Sequence, residues 1–350
     1  MNNFPQRLKM ARTMKGWSMR ELSEQLDGKL SKQAIGKYEN GDMEPEHTSL
    51  LALCDVLDVR LDFFESERSF SLKPEFRKFQ RLPQKKQNEI LGKTKDFLER
   101  YLEAEELTAS DKEFKNPLSK LCLTVEDAEN QADLFRKKMN IGDNPFYNII
   151  EQLEEWGIKV YKDHFGTEDI SGLADYIDNR VPIIVINSAV NLDRQRFTAL
   201  HELAHLVLNI PDSVSHKTKE AICNRFAGAM LISARQLRHE LGSNRKNIHL
   251  KELEIIKAQY GISPLAILYR AKDLGIISSY LFTQKMRYIR SIIGHKADIG
   301  KFYGKEESNR FLQILCKGIA EGAITSSKAA SLLNMRLAEF RDLVNLKVPA

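Results

Sequence analysis

The chain has 350 residues, of which 42% are hydrophobic and 29% charged, an ordinary composition for a soluble globular protein of two or three domains. Its four cysteines form no CxxC pair, which argues against a disulfide framework or a cysteine-bound metal and predicts a reducing cytosol. No apolar run approaches the roughly 18 residues of a membrane span, and the N-terminus lacks a signal-peptide pattern. We therefore expect a cytoplasmic protein without a membrane partner.

The first 66 residues are predicted to form a bundle of short helices. Ser18 and Glu21 have the spacing of a capping box, and Ser31 is placed to cap a third helix after a turn at residues 27–29. Two short helices joined by a tight, glycine-containing turn are typical of a helix-turn-helix, whose second helix enters the major groove. The predicted helices are Phe4–Lys15, Ser18–Leu26, Lys32–Glu39, Thr48–Leu57 and Leu61–Glu65.

Two segments in this bundle, QRLKMAR (residues 6–12) and SKQAIGKYENG (residues 31–41), resemble the Cro/repressor, or XRE-type, helix-turn-helix family. The resemblance implies that three side chains face base edges, where Gln pairs with adenine and Lys with guanine, and that a fourth residue takes a phosphate. The three base-facing residues are Lys32, Gln33 and Lys37, and the residue that takes a phosphate is Ser31. It also implies a homodimer on double-stranded operator DNA. A bundle used only for protein contacts is the alternative.

Residues 67–115 are dense in charge and contain an amphipathic helical pattern around Phe97, Tyr101 and Leu107. We interpret them as a solvated helical linker, with a partner-binding or dimerising helix as the alternative. Further on, Ile158–Tyr161, Gly172–Ile177 and Val181–Ile186 are strand-like, with a hairpin turn at residues 178–180. They predict a small antiparallel sheet that holds an extended substrate by backbone pairing.

A metal-binding pattern follows in the segment RFTALHELAHLVL, Arg196–Leu208, which contains His201, Glu202 and His205 as H-E-x-x-H. On a helix, positions i and i+4 lie on one face, so both imidazoles reach a single ion. Zinc accepts such nitrogens and, in a catalytic site, leaves one position open for water. Glu202 directly follows the first ligand and is the predicted general base.

A third ligand is available in Glu220, which opens the helical stretch EAICNRFAGAML. A second helix packed on the first would point this carboxylate at the ion, and His-His-Glu is a known catalytic zinc set. The alternative is that His201 and His205 are a buried pair bonded to backbone and that Glu220 lies on a solvated face.

The segments RQRFTALHELAH (Arg194–His205) and EAICNRFAGAML (Glu220–Leu231) resemble the ImmA/IrrE family of zinc metallopeptidases. Cys223 stands where that family usually has Ala, which leaves the ligand positions intact. The resemblance implies a Zn²⁺ cofactor, with His201, His205 and Glu220 as ligands and Glu202 as the catalytic residue.

The rest of the chain is predicted to be helical apart from a basic, irregular connector at residues 275–304. Residues 308–346 form a helix pair that resembles the tail of long proteins joining a Cro-type domain to an ImmA/IrrE domain. A packing or dimerisation module is favoured there over a second DNA-binding element.

The fold class expected is mostly α with a small antiparallel sheet. It comprises a helix-turn-helix bundle, an α+β zincin-like domain and a helical tail. The predicted boundaries are 1–66 for the DNA-binding domain, 67–115 for the linker, 116–275 for the peptidase domain, and 276–350 for the connector and tail.

The function expected is that of a DNA-binding regulator whose zinc endopeptidase cleaves a helix-turn-helix repressor or its own chain. The alternative is a non-proteolytic repressor or antitoxin that uses the zinc fold as a sensor or scaffold.

Overall fold

A computed structural model describes residues 3–66, 68, 72, 77–293 and 299–344. The chain divides into two compact units, one made of Met1–Lys112 with Asn309–Ala350 and the other of Glu113–Ser308. Parts of four predicted segments lie outside the described residues: 1–2 of the DNA-binding domain, 67, 69–71 and 73–76 of the linker, 294–298 of the connector and 345–350 of the tail. Among the helices that the structure describes, none combines the length and the apolar character needed to cross a bilayer.

The described elements follow in chain order. The first are α1 (Phe4–Met14), α2 (Met19–Gln25), α3 (Lys32–Asn40), α4 (His47–Leu57), α5 (Leu61–Glu65), α6 (Arg77–Gln80) and α7 (Gln84–Leu107). The second unit holds α8 (Val125–Lys138), α9 (Ile149–Glu155), β1 (Lys159–Asp163), β2 (Gly172–Ile177), β3 (Val181–Asn187), α10 (Leu192–Val207), α11 (His216–Leu231), α12 (Ala234–Leu241), α13 (Leu250–Tyr260), α14 (Pro264–Asp273) and α15 (Ser279–Ile293). The last are α16 (Arg310–Ala320), α17 (Ser326–Leu332) and α18 (Leu337–Val344). The predicted class, mostly helical with one small sheet, is confirmed.

Local signals set the ends of the helices in the N-terminal bundle. The Ser18 hydroxyl accepts from the backbone N–H of Glu21, whose carboxylate accepts in turn from the backbone N–H of Ser18, so the predicted capping box is present. Helix α3 is capped by Ser31 and ends at Gly41, whose φ of 80° is a left-handed conformation that favours glycine. The core of the bundle is formed by residues that are fully buried, among them Leu8, Leu22, Ile35, Leu53 and Phe64.

Helix α7 is packed rather than solvated, which corrects the predicted spacer helix. Its Leu98 and Tyr101 are fully buried, and the Tyr101 ring stacks on Phe311 of α16 at 4.8 Å between ring centroids. On another face of α7, the buried carboxylate of Glu99 pairs with Arg7 of α1. The apolar positions of α7 therefore mark the core of the first unit.

The tail helices complete that core. Leu315, Ala329 and Phe340 are buried in one cluster with Tyr101 and Ala104 of α7. Arg100 of α7 also donates to the backbone carbonyl of Leu332 at 2.7 Å. The tail is thus a packing module of the first unit.

The sheet of the second unit is mixed, with strand order β1-β3-β2. β2 pairs antiparallel with β3 through the predicted turn, in which Asp178 and Asn179 have φ of 49° and 56°. β1 pairs with β3 in parallel, so the prediction of a purely antiparallel sheet was wrong. The chain reverses direction once between β1 and β2 and again in the hairpin, and β3 therefore runs in the direction of β1.

The predicted irregular connector contains a regular helix. Helix α15 covers Ser279–Ile293, and its buried residues Leu281, Met286 and Ile289 join the main apolar core of the second unit. After the residues that are not described, the chain returns to this unit through Ile299 and Phe302, both buried. The connector is therefore part of the packed unit.

Candidate metal centre and DNA-recognition helix

Helix α10 carries the two histidines of the H-E-x-x-H motif on one face. Its N-terminus is capped by the Asn191 side chain, which accepts from the backbone N–H of Arg194. One turn apart, the rings of His201 and His205 have centroids 4.9 Å apart, and their Nε2 atoms are 3.2 Å apart. Both rings are mostly buried, with 14% and 10% of the side chains exposed. The two imidazoles therefore present one nitrogen each to the same point.

Helix α11 brings the third group of the predicted set to that point. The Glu220 carboxylate lies 3.5 Å from His205 Nε2 and 3.7 Å from His201 Nε2. One ligand atom from each of the three residues lies within 4.8 Å of the others. Ligands at zinc's usual bond lengths stand about 3.3 Å apart on the edges of a tetrahedron, so the three groups fit a zinc ion. A buried histidine pair with a remote, solvated Glu220 does not describe this geometry.

Two neighbours on α11 hold the other nitrogens of the histidine rings. Asn224 Oδ1 lies 3.0 Å from His201 Nδ1, and Cys223 Sγ lies 3.7 Å from His205 Nδ1. An acceptor at Nδ1 keeps the proton there and leaves Nε2 free to bind a metal. Asn224 is not among the site residues predicted from the sequence, although its spacing of four residues from Glu220 places it on the same face of α11.

The pKa values of Glu220 and Cys223, two ionisable groups that α11 brings to this site, are shifted in opposite directions. The hydrogen bond with His205, followed by the charge interactions with His201 and His205, lowers the pKa of Glu220 to about 2. Burial, followed by the nearby carboxylates of Glu220 and Glu202, raises the pKa of the Cys223 thiol. Glu220 is therefore ionised and available as a ligand at neutral pH, whereas Cys223 stays a neutral thiol.

Glu202 points into the interior beside strand β2. Its residue surface is only 5% exposed. A Cβ atom at Gly172 would lie 2.5 Å from Thr198 Cγ2 and 3.3 Å from Glu202 Cγ, so any other residue at position 172 would collide with α10. The missing side chain lets β2 run directly against α10 at Glu202, which lies between the two histidines in sequence.

On the first unit, α3 presents the residues predicted to contact DNA. Lys32, Gln33 and Lys37 are all exposed, whereas Ile35 and Tyr38 on the other side of the helix are buried in the bundle. The Ser31 hydroxyl accepts from the backbone N–H of Ala34 at 3.1 Å. Because this bond uses the hydroxyl as a cap, a phosphate at the helix start would meet mainly the remaining backbone N–H groups.

Comparisons with known proteins find matches to two separate parts of the chain. The family model described as IrrE N-terminal-like domain matches residues 153–272, and the model described as Helix-turn-helix matches residues 8–64. The chain joins a helix-turn-helix domain to an IrrE-like domain.

Two individual proteins are also similar to parts of the chain. The HTH-type transcriptional regulator YonR, derived from the SPbeta prophage of Bacillus subtilis (strain 168), is 40% identical over 60 residues, which are 17% of this chain and 54% of that protein. The chain thus spans about half the length of this curated relative. A solved transcriptional regulator of Mycobacterium tuberculosis is 14% identical over 51% of each chain, with a TM-score of 0.33, which does not establish a shared fold.

In the second unit, a buried ion pair supports α10 on the side away from the two histidines' cluster with Glu220. Arg196, five residues before His201, is fully buried and pairs with the equally buried Glu306. Its guanidinium also donates to the backbone carbonyl of Phe146 at 3.0 Å and lies over the ring of Phe302. Glu306 accepts in turn from the backbone N–H groups of Ile149 and Ile150. This network ties α10 to the start of α9 and to the returning connector.

The other histidines of the second unit, and Tyr176, are candidates to polarise a substrate carbonyl in a peptidase, but the cluster of possible metal ligands among the described residues contains none of them. The Tyr176 hydroxyl donates to the backbone carbonyl of Leu206, and the Nδ1 atom of His164 accepts from the backbone N–H of Gly166. His239 and His249 are exposed at α12 and at the start of α13. His216 lies one turn before Glu220 and contributes a charge interaction that lowers the pKa of that carboxyl.

Proposed function

We propose that the protein is a DNA-binding transcriptional regulator whose IrrE-like domain is a zinc-dependent endopeptidase. The observation that carries the proposal is the convergence of His201, His205 and Glu220 to the spacing of tetrahedral zinc ligands. Glu202 lies on α10, the helix that carries the two histidines. The exposed α3 face and the helix-turn-helix match support the DNA-binding part. A regulator bound to a double-stranded operator would act in the cytoplasm and would use a homodimer to span two half-sites.

The residues of the site have separate parts in peptide hydrolysis. His201, His205 and Glu220 would hold the ion, and zinc in such a set lowers the pKa of water toward about 7 and polarises a carbonyl. Asn224 keeps the His201 ring oriented through Nδ1. Glu202 would take the proton of the attacking water on its carboxylate and return it to the amine of the departing chain.

The substrate we propose is a helix-turn-helix repressor or the protein's own chain. Within the described part of the predicted linker, α7 is packed, while Ala109, Asp111, Lys112 and Glu113 are exposed and lie outside any helix. Peptidases bind extended backbone, so an exposed irregular segment is a better target than a packed helix. If the protein cuts itself, we expect the cut near residues 109–113.

The test is a comparison of zinc content and cleavage in purified full-length protein. Wild type should hold about one zinc per chain, and His201→Ala and Glu220→Ala should both lose it, because each removes one of three ligands. His239→Ala removes an exposed histidine elsewhere in the same domain and should keep the zinc. Absence of zinc from reconstituted wild type would remove the peptidase proposal.

Glu202→Gln separates catalysis from metal binding. The variant should retain the zinc of wild type and lose cleavage of its own chain or of an added helix-turn-helix repressor by at least about 100-fold, the usual contribution of a general base. Zinc-loaded wild type that, like Glu202→Gln, cleaves neither substrate under inducing conditions would favour the non-proteolytic repressor or antitoxin, with zinc as part of a sensor or scaffold.

A further inference from the structure

A cationic cleft lies on the second unit, between the start of α13 and one face of α15. Its charged and polar lining consists of Lys246, His249, Lys251, Gln284, Lys285 and Tyr288, together with Asn247, and none of the lining residues is an acid. The floor is apolar, made by Leu250 and Leu281. We define these residues as the α13–α15 cleft.

The two sequence segments that build the cleft contain no carboxylate at all. Residues 242–251 read GSNRKNIHLK and residues 279–293 read SYLFTQKMRYIRSII, so together they hold six Lys or Arg residues and no Asp or Glu. On α15, Arg287 is exposed and lies three residues after Gln284, which places it beside the cleft. This density stands out in a chain whose overall charge is only +5.

The two acids that follow the first segment, Glu252 and Glu254, are each paired with one of its cations. Glu252 accepts from Arg245 at 2.8 Å and from the backbone N–H of His249. Glu254 pairs with Lys251 at 2.7 Å, which raises the pKa of that ammonium. Lys246 and Lys285 therefore add positive charge to a cleft that no carboxylate lines. The Nζ atom of Lys285 lies 5.9 Å from the centre of the Tyr288 ring.

We propose that the α13–α15 cleft and the adjoining face of α15 bind the phosphate backbone of duplex DNA. A row of exposed cations with amide, imidazole and phenol donors is the surface that phosphates select. The inference rests on the DNA-binding part of the proposed function, because the helix-turn-helix domain on the same chain brings a duplex to the molecule. The contacts would add sequence-independent affinity to the specific contacts of α3.

The experiment measures the salt dependence of duplex binding by the full chain. The variant Lys246→Gln with Lys285→Gln and Arg287→Gln removes three charges from the surface. A matched control, Lys120→Gln with Lys137→Gln and Lys138→Gln, removes three exposed lysines elsewhere in the same unit. The probe is a mixed-sequence duplex of about 40 base pairs, titrated between roughly 50 and 200 mM KCl.

Each phosphate contact contributes about −0.9 to the slope of log affinity against log salt. The cleft variant should therefore lower the magnitude of that slope by about 2 to 3 and bind about 10- to 100-fold more weakly at low salt. The control should keep the wild-type slope, and both variants should keep the wild-type zinc content and melting temperature, which excludes misfolding.

Two results overturn the proposal. Equal slopes for wild type and the cleft variant, with wild type binding the duplex, would show that the cleft makes no phosphate contact. A cleft variant that binds the duplex normally but loses binding to a poly-glutamate peptide would assign the surface to an acidic protein partner. Wild type that binds no duplex at any salt would instead overturn the DNA-binding function itself, and this outcome is distinct from equal slopes.

Discussion

The helix pair α2–α3 presents its functional side chains on the surface, whereas the helix pair α10–α11 holds its functional side chains close together and largely buried. On α3, Gln33 and Lys37 are exposed on the surface. On α10 and α11, His201 and Glu220 converge to 3.7 Å, and each depends on neighbours for its position. A side chain that contacts a DNA groove therefore needs only a well-formed helix, whereas a metal ligand needs the packed interior behind it. The difference predicts which substitutions affect stability and which affect binding alone.

The largest effect is expected at the buried support of α10. Arg196→Met leaves Glu306 as an unpaired charge in the interior, which should lower the free energy of unfolding of the second unit by about 3–5 kcal/mol. The chain has two tryptophans, Trp17 in the first unit and Trp156 in the second. Urea unfolding followed by Trp156 fluorescence in a Trp17→Phe background isolates the affected unit.

The control for that prediction is a double-mutant cycle. Arg196→Met with Glu306→Gln should be less destabilised than the sum of the single variants, because the pair is lost only once. The first unit, followed through Trp17 in a Trp156→Phe background, should unfold as in wild type. A loss below about 1 kcal/mol would mean that α10 does not depend on this pair.

In both helix pairs, the main functional side chains lie next to local sequence signals. The caps at Ser18 and Ser31 and the i, i+4 spacing of His201 and His205 are local signals, and the structure has the helices that they predict. Glu220 was predictable because a recognisable second helix followed close behind. For both sites, the main side chains could therefore be named from short stretches of sequence.

The supporting structure was harder to predict, because its parts are distant in sequence. Glu306 lies 110 residues from its partner Arg196, and no local pattern links them. The parallel pairing of β1 depends on the strand order, which the hydrophobic pattern of one strand does not contain. Helix α15 was missed because its many cations hid the apolar stripe of Leu281, Met286 and Ile289.

A smaller effect is expected from Asn224, which contacts the proposed ligand His201 but is not itself one of the three proposed ligands. Asn224→Ala removes the acceptor 3.0 Å from His201 Nδ1, so zinc affinity should fall about 10- to 100-fold while the fold is retained. Competition with a chromophoric chelator measures the change. Asn224→Asp keeps an acceptor and should stay near wild type, and Asn244→Ala removes an exposed amide outside the site. Unchanged affinity in Asn224→Ala would contradict an orienting role.

On the DNA side, Gln33→Ala should weaken specific binding without changing stability. A bidentate contact to adenine contributes about 1–3 kcal/mol, or roughly 5- to 150-fold in affinity, and the side chain is exposed. The measurement uses an operator obtained by selection from random duplexes, with unfolding followed through Trp17. Gln25→Ala removes an exposed glutamine at the end of α2 and serves as the control. An equal loss on every duplex sequence would assign Gln33 to a phosphate.

The smallest effect is expected at the capping box that starts α2. Ser18→Ala removes the hydroxyl that accepts from Glu21 and should destabilise the first unit by about 1 kcal/mol, leaving zinc content unchanged. The hydrogen bonds from the Ser18 backbone and side chain lower the pKa of Glu21 from 4.5 to about 2. Because the folded pKa is depressed, this stabilisation is fully present above pH 4.5 and is lost as the pH falls toward 2.

The carboxyl chemical shift of Glu21 tests that assignment directly. In wild type it should stay on its ionised plateau down to about pH 4, whereas in Ser18→Ala, which loses the hydroxyl but keeps the backbone N–H, it should begin to move at a higher pH, closer to the range of an ordinary glutamate. Ser327→Ala removes an exposed hydroxyl from α17 in the same unit and should leave the Glu21 titration unchanged. If Glu21 titrates like an ordinary glutamate in wild type as well, the capping box does not form in solution. Helix α2 would then depend on packing in the bundle and not on its own cap. The contrast between the two helix pairs would not hold for α2.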